Sequence, residues 1–173
     1  MYPRYQAKPE RSPLTNRTAS GIQIHERAED MPNLPVGRFA RMPGDPRIFA
    51  FACNFPAGDQ PGAVVVSRDQ GETWEKTSPF APVVDLHPTD SGAFLATAGG
   101  TLIAAFSNRA EMVRAEWDPE LRDPTTWRLP TYVVRSRDGG QTWEDLHKLH
   151  DDWTGANRDM IQTREGRVVF TSM

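Results

Sequence analysis

The sequence predicts an all-β protein assembled from repeated antiparallel sheets. Three observations carry that prediction. The octapeptide Ser67-Arg68-Asp69-Gln70-Gly71-Glu72-Thr73-Trp74 returns as Ser136-Arg137-Asp138-Gly139-Gly140-Gln141-Thr142-Trp143, with six of eight letters unchanged. Short apolar runs stand before and after each copy in the same order. Fifteen prolines in 173 residues work against long helices, because proline lacks an N–H and clashes with the turn before it. They suit strands joined by irregular loops.

Taken in order, residues 1–20 are rich in Pro, Arg, Ser and Thr, show no apolar period, and are expected to form a flexible arm ahead of a folded part, 21–173. In the first block, strands are expected at 38–42 and 47–52 around the turn Pro43-Gly44-Asp45-Pro46, and at 63–67 after a loop at 54–61. The octapeptide follows, and Trp74-Glu75-Lys76 opens a fourth strand. In the second block, 94–98 and 101–106 flank Gly99-Gly100. A glycine pair between apolar runs marks a hairpin, because the favoured tight turns need positive φ. An irregular stretch, 107–130, precedes a third strand at 132–136, the second octapeptide, and a fourth strand opening at Trp143-Glu144-Asp145-Leu146. A third block begins with strands at 160–163 and 167–170 around Arg164-Glu165-Gly166.

The two octapeptide aspartates lie 69 positions apart. Propeller repeats commonly run to about 40–50 residues, and the long inter-strand loops account for the excess. Four antiparallel strands per repeat, arranged radially, make a β-propeller blade. The chain is therefore expected to hold about two blades and the opening hairpin of a third. Closure takes roughly four to eight blades, so the chain is expected to be the N-terminal part of a longer array.

Each octapeptide has the residue types of a turn between strands three and four. Its aspartate can accept hydrogen bonds from the N–H groups of its own turn, and its glycine supplies positive φ. Threonine favours strand geometry and tryptophan buries against a sheet. The structural set is Ser67, Asp69, Gly71, Thr73 and Trp74 with Ser136, Asp138, Gly140, Thr142 and Trp143. One copy per repeat is what a scaffold needs, rather than a catalytic carboxylate.

Composition excludes several partners. Net charge is −3, with no basic excess for nucleic acid or an anionic membrane surface. Apolar runs such as Leu102 to Phe106 are too short to span a bilayer. The start, MYPRYQAKPERSP, lacks the apolar core of a signal peptide. The lone Cys53 cannot form an internal disulfide and is expected to pack as a small apolar residue. A cytoplasmic location is the default expectation. Asn16-Arg17-Thr18 matches a glycosylation sequon and is read as chance. His147-x-x-His150 with Asp151 and Asp152 has metal-ligand residue types, but no second ligand cluster backs it, so neither a metal nor another cofactor is expected.

Ser-x-Asp-x-Gly-x-Thr-Trp is the Asp-box, and both copies match it without substitution. It resembles the bacterial neuraminidase repeat of sialidases and related β-propellers. The run from Gly100 through Arg109, followed by Val133 to Asp138, is similar to the sialidase pattern of a Gly-Thr-Leu strand, an arginine, a variable loop and a strand into the box. Gly166 to Phe170 is similar to the corresponding strand of the next blade. The resemblance covers residues 36–173 and implies part of a six-bladed propeller. It implies an exo-α-sialidase type of glycoside hydrolase, or the N-terminal portion of one, acting on terminal acidic sugars. Asp-boxes also occur in propellers without glycosidase activity, which leaves a glycan- or protein-binding module as the alternative.

Strand counting says where a site would lie. If strand one runs from top to bottom, the octapeptide turn is at the bottom. The top then carries the residues that lead into each first strand and the loops between strands two and three. Sialidases grip the substrate carboxylate with three arginines, whose planar forks suit a carboxylate, and use an aspartate acid/base with a tyrosine nucleophile. By resemblance, Asp118 is the candidate acid/base, and Arg38, Arg109, Arg158 and Asp159 are the candidate substrate-binding residues. The family's Phe-Arg-Ile-Pro motif is absent at Arg38. Plainer roles stand beside these. Asp118-Pro119-Glu120 also reads as a helix N-cap and first turn. Arg38 and Arg109 also read as solvated strand ends, and Arg158-Asp159 as a local ion pair. Glu111, Glu116 and Asp123 are further loop carboxylates. The expected partner is a carbohydrate or glycoconjugate, with self-association through open sheet edges.

Overall fold

Two four-stranded antiparallel sheets and one antiparallel strand pair account for nearly all regular structure in the computed structural model, which describes residues 37–52, 63–78, 80, 86–88, 92–114, 117–120, 122 and 127–173. The expected arm at 1–20, the sequon, Cys53, Glu116 and Asp123 lie outside the described residues. The first sheet joins β1 (Gly37–Ala40), β2 (Ile48–Ala52), β3 (Ala63–Ser67) and β4 (Glu75–Lys76) in chain order. The second repeats that order with β5 (Ala93–Ala96), β6 (Leu102–Ser107), β7 (Thr131–Ser136) and β8 (Glu144–His150). β9 (Asn157–Gln162) and β10 (Val168–Ser172) form the pair. A 3-10 helix of one turn, Arg109–Glu111, follows β6.

The strands form on short apolar runs, and successive side chains point to opposite faces, which decides what each face meets. In the first sheet Phe49 pairs with Val66 and Phe51 with Val64. All four are buried on one face, against Phe94, Leu102, Ala104, Phe106, Tyr132 and Val134 of the second sheet. Alternate residues of the second sheet, Ala93, Leu95, Ile103, Ala105 and Val133, turn the other way and pack on Met160 and Phe170 of the pair. Burying each large aliphatic or aromatic side chain contributes about 1.5–3 kcal/mol. Gly92 makes the first contact possible: a Cβ there would lie 1.9 Å from the Phe51 ring.

Phe80 joins the two sheets from outside any strand. Its ring stacks on Phe106 at 5.3 Å and on Phe51 at 5.7 Å, and meets Trp143 edge-on at 4.7 Å.

Local differences from the expected elements have local causes. The hairpin at Gly99-Gly100 is not a two-residue turn. It runs from Thr97 to Thr101, closed by Thr97 N–H to Thr101 O at 2.9 Å, with positive φ at Gly100. β9 begins at Asn157, three residues before the expected Met160, because Ser172 and Met173 carry the pairing on to Asn157 and Ala156. Pro119 and Glu120 lie in a turn, and Asp118 accepts the Glu120 N–H. β8 contains a bulge where Asp145 takes φ 53°, and there its carboxylate meets the Arg135 guanidinium.

Candidate functional site

The top of the sheets is the end where β1, β5 and β9 begin. By strand order it also carries the β6–β7 connection and the β8–β9 connection, and the octapeptide turns fall at the bottom.

Those turns use the same atoms twice. Asp69 accepts the Thr73 N–H at 2.9 Å and the Thr73 hydroxyl, and its Oδ1 also accepts from Ser67 Oγ at 2.8 Å. Asp138 accepts the Thr142 N–H at 2.9 Å, the Thr142 hydroxyl at 2.6 Å and Ser136 Oγ at 2.8 Å. Gly71 and Gly140, both at positive φ, donate their N–H groups to Ser67 Oγ and Ser136 Oγ. The threonine hydroxyl first, then the threonine N–H and the serine, hold both carboxyls down to about 2. A carboxylate engaged in this way serves its own turn. Trp74 returns its indole N–H to Gly71 O at 3.0 Å, while Trp143 packs on Phe80. The second turn also holds the first sheet, through Ser78 N–H to Gly140 O at 3.1 Å.

At the top, the β6–β7 connection is pinned by polar side chains. Asn108, fully buried at the end of β6, accepts from His87 N–H at 2.8 Å and from Ala110 N–H at 3.3 Å, capping the 3-10 helix. Its Nδ2 donates to Glu111 Oε1 at 3.0 Å. The same oxygen accepts the Tyr132 hydroxyl at 2.5 Å, and Oε2 accepts Lys148 Nζ at 2.7 Å. Burial alone would raise the Glu111 pKa, but hydrogen bonds from Lys148, Tyr132 and Asn108 outweigh it and hold the carboxyl below its ordinary value. Burial, then Glu111, raises the Tyr132 phenol, and Asp151, then Glu111, raises Lys148. Lys148 reaches Asp151 at 2.8 Å, and Arg128 reaches the same carboxylate oxygen at 3.1 Å.

Beneath this network runs a buried chain of hydroxyls. His150 Nε2 meets Thr154 Oγ1 at 2.9 Å, and Thr131 Oγ1 donates to Thr154 at 2.9 Å. Ser107 lies 3.4 Å from Thr131 and accepts from Asn157 Nδ2 at 3.0 Å. His150 Nδ1 and Asn157 Oδ1 have no hydrogen-bond partner among the described residues.

The residues singled out from sequence are placed as follows. Arg38 is exposed on β1 opposite Phe51. Arg109 is the exposed first residue of the 3-10 helix, its N–H on His87 O at 2.8 Å. Asp118 is half-buried in the β6–β7 connection and accepts the Glu120 N–H at 2.8 Å. Arg158 and Asp159 are exposed on β9, and Asp159 accepts the Met160 N–H at 2.8 Å. By strand order these residues lie near the start of a first strand or in the connection after a second one, but the hydrogen-bonded cluster in the β6–β7 connection is built by others: Asn108, Tyr132 and Lys148 around Glu111. A local signal existed for part of it, because Asn108-x-x-Glu111 has capping-box spacing. Among the described residues no group of three or more His, Cys, Asp or Glu is placed to hold a metal ion. A cavity of about 390 Å³ opens elsewhere, on the β6–β8 face, lined by Ile103, Val133, Val134, Arg135, Asp145 and His147.

No protein-family model matches the chain, and no curated protein matches it. Solved structures do. A protein of unknown function from Dyadobacter fermentans DSM 18053 superposes with a TM-score of 0.53 at 16% identity, over 80% of this chain and 33% of that one. The Hadza microbial sialidase Hz136 superposes with a TM-score of 0.46 at 19% identity, over 82% of this chain and 32% of that one. The likeness is one of fold. The chain spans about a third of the length of each of these structures.

Proposed function

We propose that residues 21–173 are part of a sialidase-like β-propeller acting on terminal acidic sugars of glycans, with 1–20 as an arm. In this reading the two four-stranded sheets are blades, β9 and β10 open a third, and the octapeptide turns are Asp-boxes. The observation that supports it is that each octapeptide turn joins strands three and four of its sheet, the end opposite to the one this reading gives to Arg38, Arg109, Asp118, Arg158 and Asp159. There the arginines would clamp a sugar carboxylate through forked N–H donors. Asp118 would protonate the leaving oxygen.

The test is hydrolysis of a fluorogenic sialoside by the intact gene product and its Asp118→Asn variant. The expected result is turnover by the first and a loss of about 10²–10⁴-fold in the second, with unchanged thermal denaturation. Equal turnover in both would remove Asp118 from the mechanism. A second reading, a non-catalytic propeller that binds glycans or proteins, draws on the Asp118 carboxylate serving its own turn at 2.8 Å from Glu120 N–H. It expects no turnover and binding that survives the substitution.

A further inference from the structure

We propose that His150 works as a pH-operated switch, its protonation reversing a buried chain of hydrogen bonds that ends at Asn157, the first residue of β9. The chain ties together the ends of separate elements. Ser107 closes β6, Thr131 opens β7, His150 closes β8, Thr154 lies in the β8–β9 connection and Asn157 opens β9. Ser107, Thr131, Thr154 and Asn157 are each 2% exposed or less, so solvent cannot complete their hydrogen bonds.

Counting hydrogens gives the chain a direction. A hydroxyl has one hydrogen to donate. Thr131 gives its hydrogen to Thr154 at 2.9 Å, so in its 3.4 Å contact with Ser107 it can only accept. Ser107 therefore donates to Thr131, and it accepts from Asn157 Nδ2 at 3.0 Å. Thr154, having accepted from Thr131, keeps its own hydrogen for His150 Nε2 at 2.9 Å. Every bond points from Asn157 toward the imidazole. A ring nitrogen that accepts belongs to a neutral imidazole with its proton on the other nitrogen, here Nδ1.

The charge of an imidazole ordinarily changes between about pH 8 and about pH 5. The added proton lands on Nε2, the atom to which Thr154 donates, and turns it into a donor. Thr154 must then turn its hydrogen to Thr131, Thr131 to Ser107, and Ser107 to Asn157. The Asn157 amide receives it by half a turn. Its Oδ1, buried and without a partner among the described residues, exchanges places with Nδ2. The chain thus has two settings, and the charge of His150 selects one.

The charged and titratable groups on the elements around His150 are Glu111 and Arg128 in the β6–β7 connection, Tyr132 on β7, His147 and Lys148 on its own strand, Asp151 and Asp152 beyond it, and Arg158 and Asp159 on β9. Lys148 bonds Glu111 and Asp151, Arg128 bonds Asp151, and Tyr132 bonds Glu111. Among the described residues the hydrogen-bond partner of the imidazole is Thr154, so Thr154 has to respond to its charge. The other end of the chain lies where β9 and β10 pair irregularly. Ser172 pairs with Asn157 and Thr171 with Asp159, so the ladder skips Arg158. A residue left unpaired at a bulge is aimed by its local geometry, and the setting of Asn157 therefore bears on Arg158.

The test is a titration of the ¹⁵N-labelled protein from about pH 8 to about pH 5, the range of imidazole charging. At the start, long-range ¹H–¹⁵N correlation should show His150 with a protonated Nδ1 and a bare Nε2. On acidification the side-chain amide signals of Asn157 should move with the same midpoint as the His150 ring. Thr154→Val removes the hydroxyl between them: His150 should still titrate, and Asn157 should stop following it. His150→Gln should abolish the Asn157 shift. A proton on Nε2 at the start, or Asn157 signals that do not follow His150, would overturn the switch in the unsubstituted protein, whatever any variant's folding. Asn157 signals that still follow His150 in Thr154→Val would overturn the chain as the route.

Discussion

Asp69 and Asp138 show how a carboxylate can be engaged by its own turn. A carboxyl held to about 2 in the folded chain takes up its proton more readily once the chain unfolds. Its contribution is therefore complete above the ordinary aspartate value of about 4, and is lost as pH falls from there toward about 2. Urea denaturation across that window should show wild-type stability falling faster than in the Asp69→Asn/Asp138→Asn double variant; parallel slopes would mean the two turns do not feel the proton. Gln70 shows the opposite tension. It takes φ 64° at the position where the second octapeptide has Gly139 at φ 73°. Left-handed backbone costs an L-residue about 1–2 kcal/mol, while glycine adds entropy to the unfolded chain. Gln70→Gly should therefore raise stability by up to about 1 kcal/mol, read as a higher thermal midpoint. A lower midpoint would mean that the exposed Arg41–Gln70 hydrogen bond of 3.2 Å outweighs the strain.

Among the elements, the strands and the long connection differ in how far they could be read from sequence. β3 occupies the residues expected for it, 63–67, because an apolar run bounded by Pro61-Gly62 and by Asp69-Gln70-Gly71 leaves few choices. The β6–β7 connection offers no period to read. Its order comes from side chains far apart in the chain: Glu111 receives Tyr132 and Lys148, which lie 21 and 37 residues away. The single local clue, the Asn108-x-x-Glu111 spacing, marks a cap and not the cluster built on it. Glu111→Ala should release the connection, leaving Asn108, Tyr132 and Lys148 short of a partner at a cost of about 1–3 kcal/mol. Hydrogen exchange should quicken at Val113 and Arg128, whose mutual 2.9 Å bonds close the connection, and stay slow in β6 and β7. Uniform acceleration across the sheet would show that Glu111 supports the whole sheet and not this element.

For the whole molecule, the join between sheets decides integrity. Phe80 was not legible as core, because the prolines on either side read as loop, yet it lies 6% exposed between Phe51, Phe106 and Trp143. Phe80→Ala should cost about 3–5 kcal/mol, seen as a lower urea midpoint, and a cost under about 1 kcal/mol would mean the sheets hold without it. Counting strands led to the expectation that Arg38, Arg109, Asp118, Arg158 and Asp159 share one end, whereas the cluster of Asn108, Tyr132 and Lys148 around Glu111 depends on separate strands meeting in space. The octapeptide turns complete nearly all their hydrogen bonds within their own eight residues, from Ser67 to Trp74 and from Ser136 to Trp143. A genetic duplication that copies such a segment copies a finished solution and needs no matching change elsewhere in the gene. Lineages can then lengthen or shorten an array of sheets by recombination, while the connections at the other end diverge freely toward new ligands.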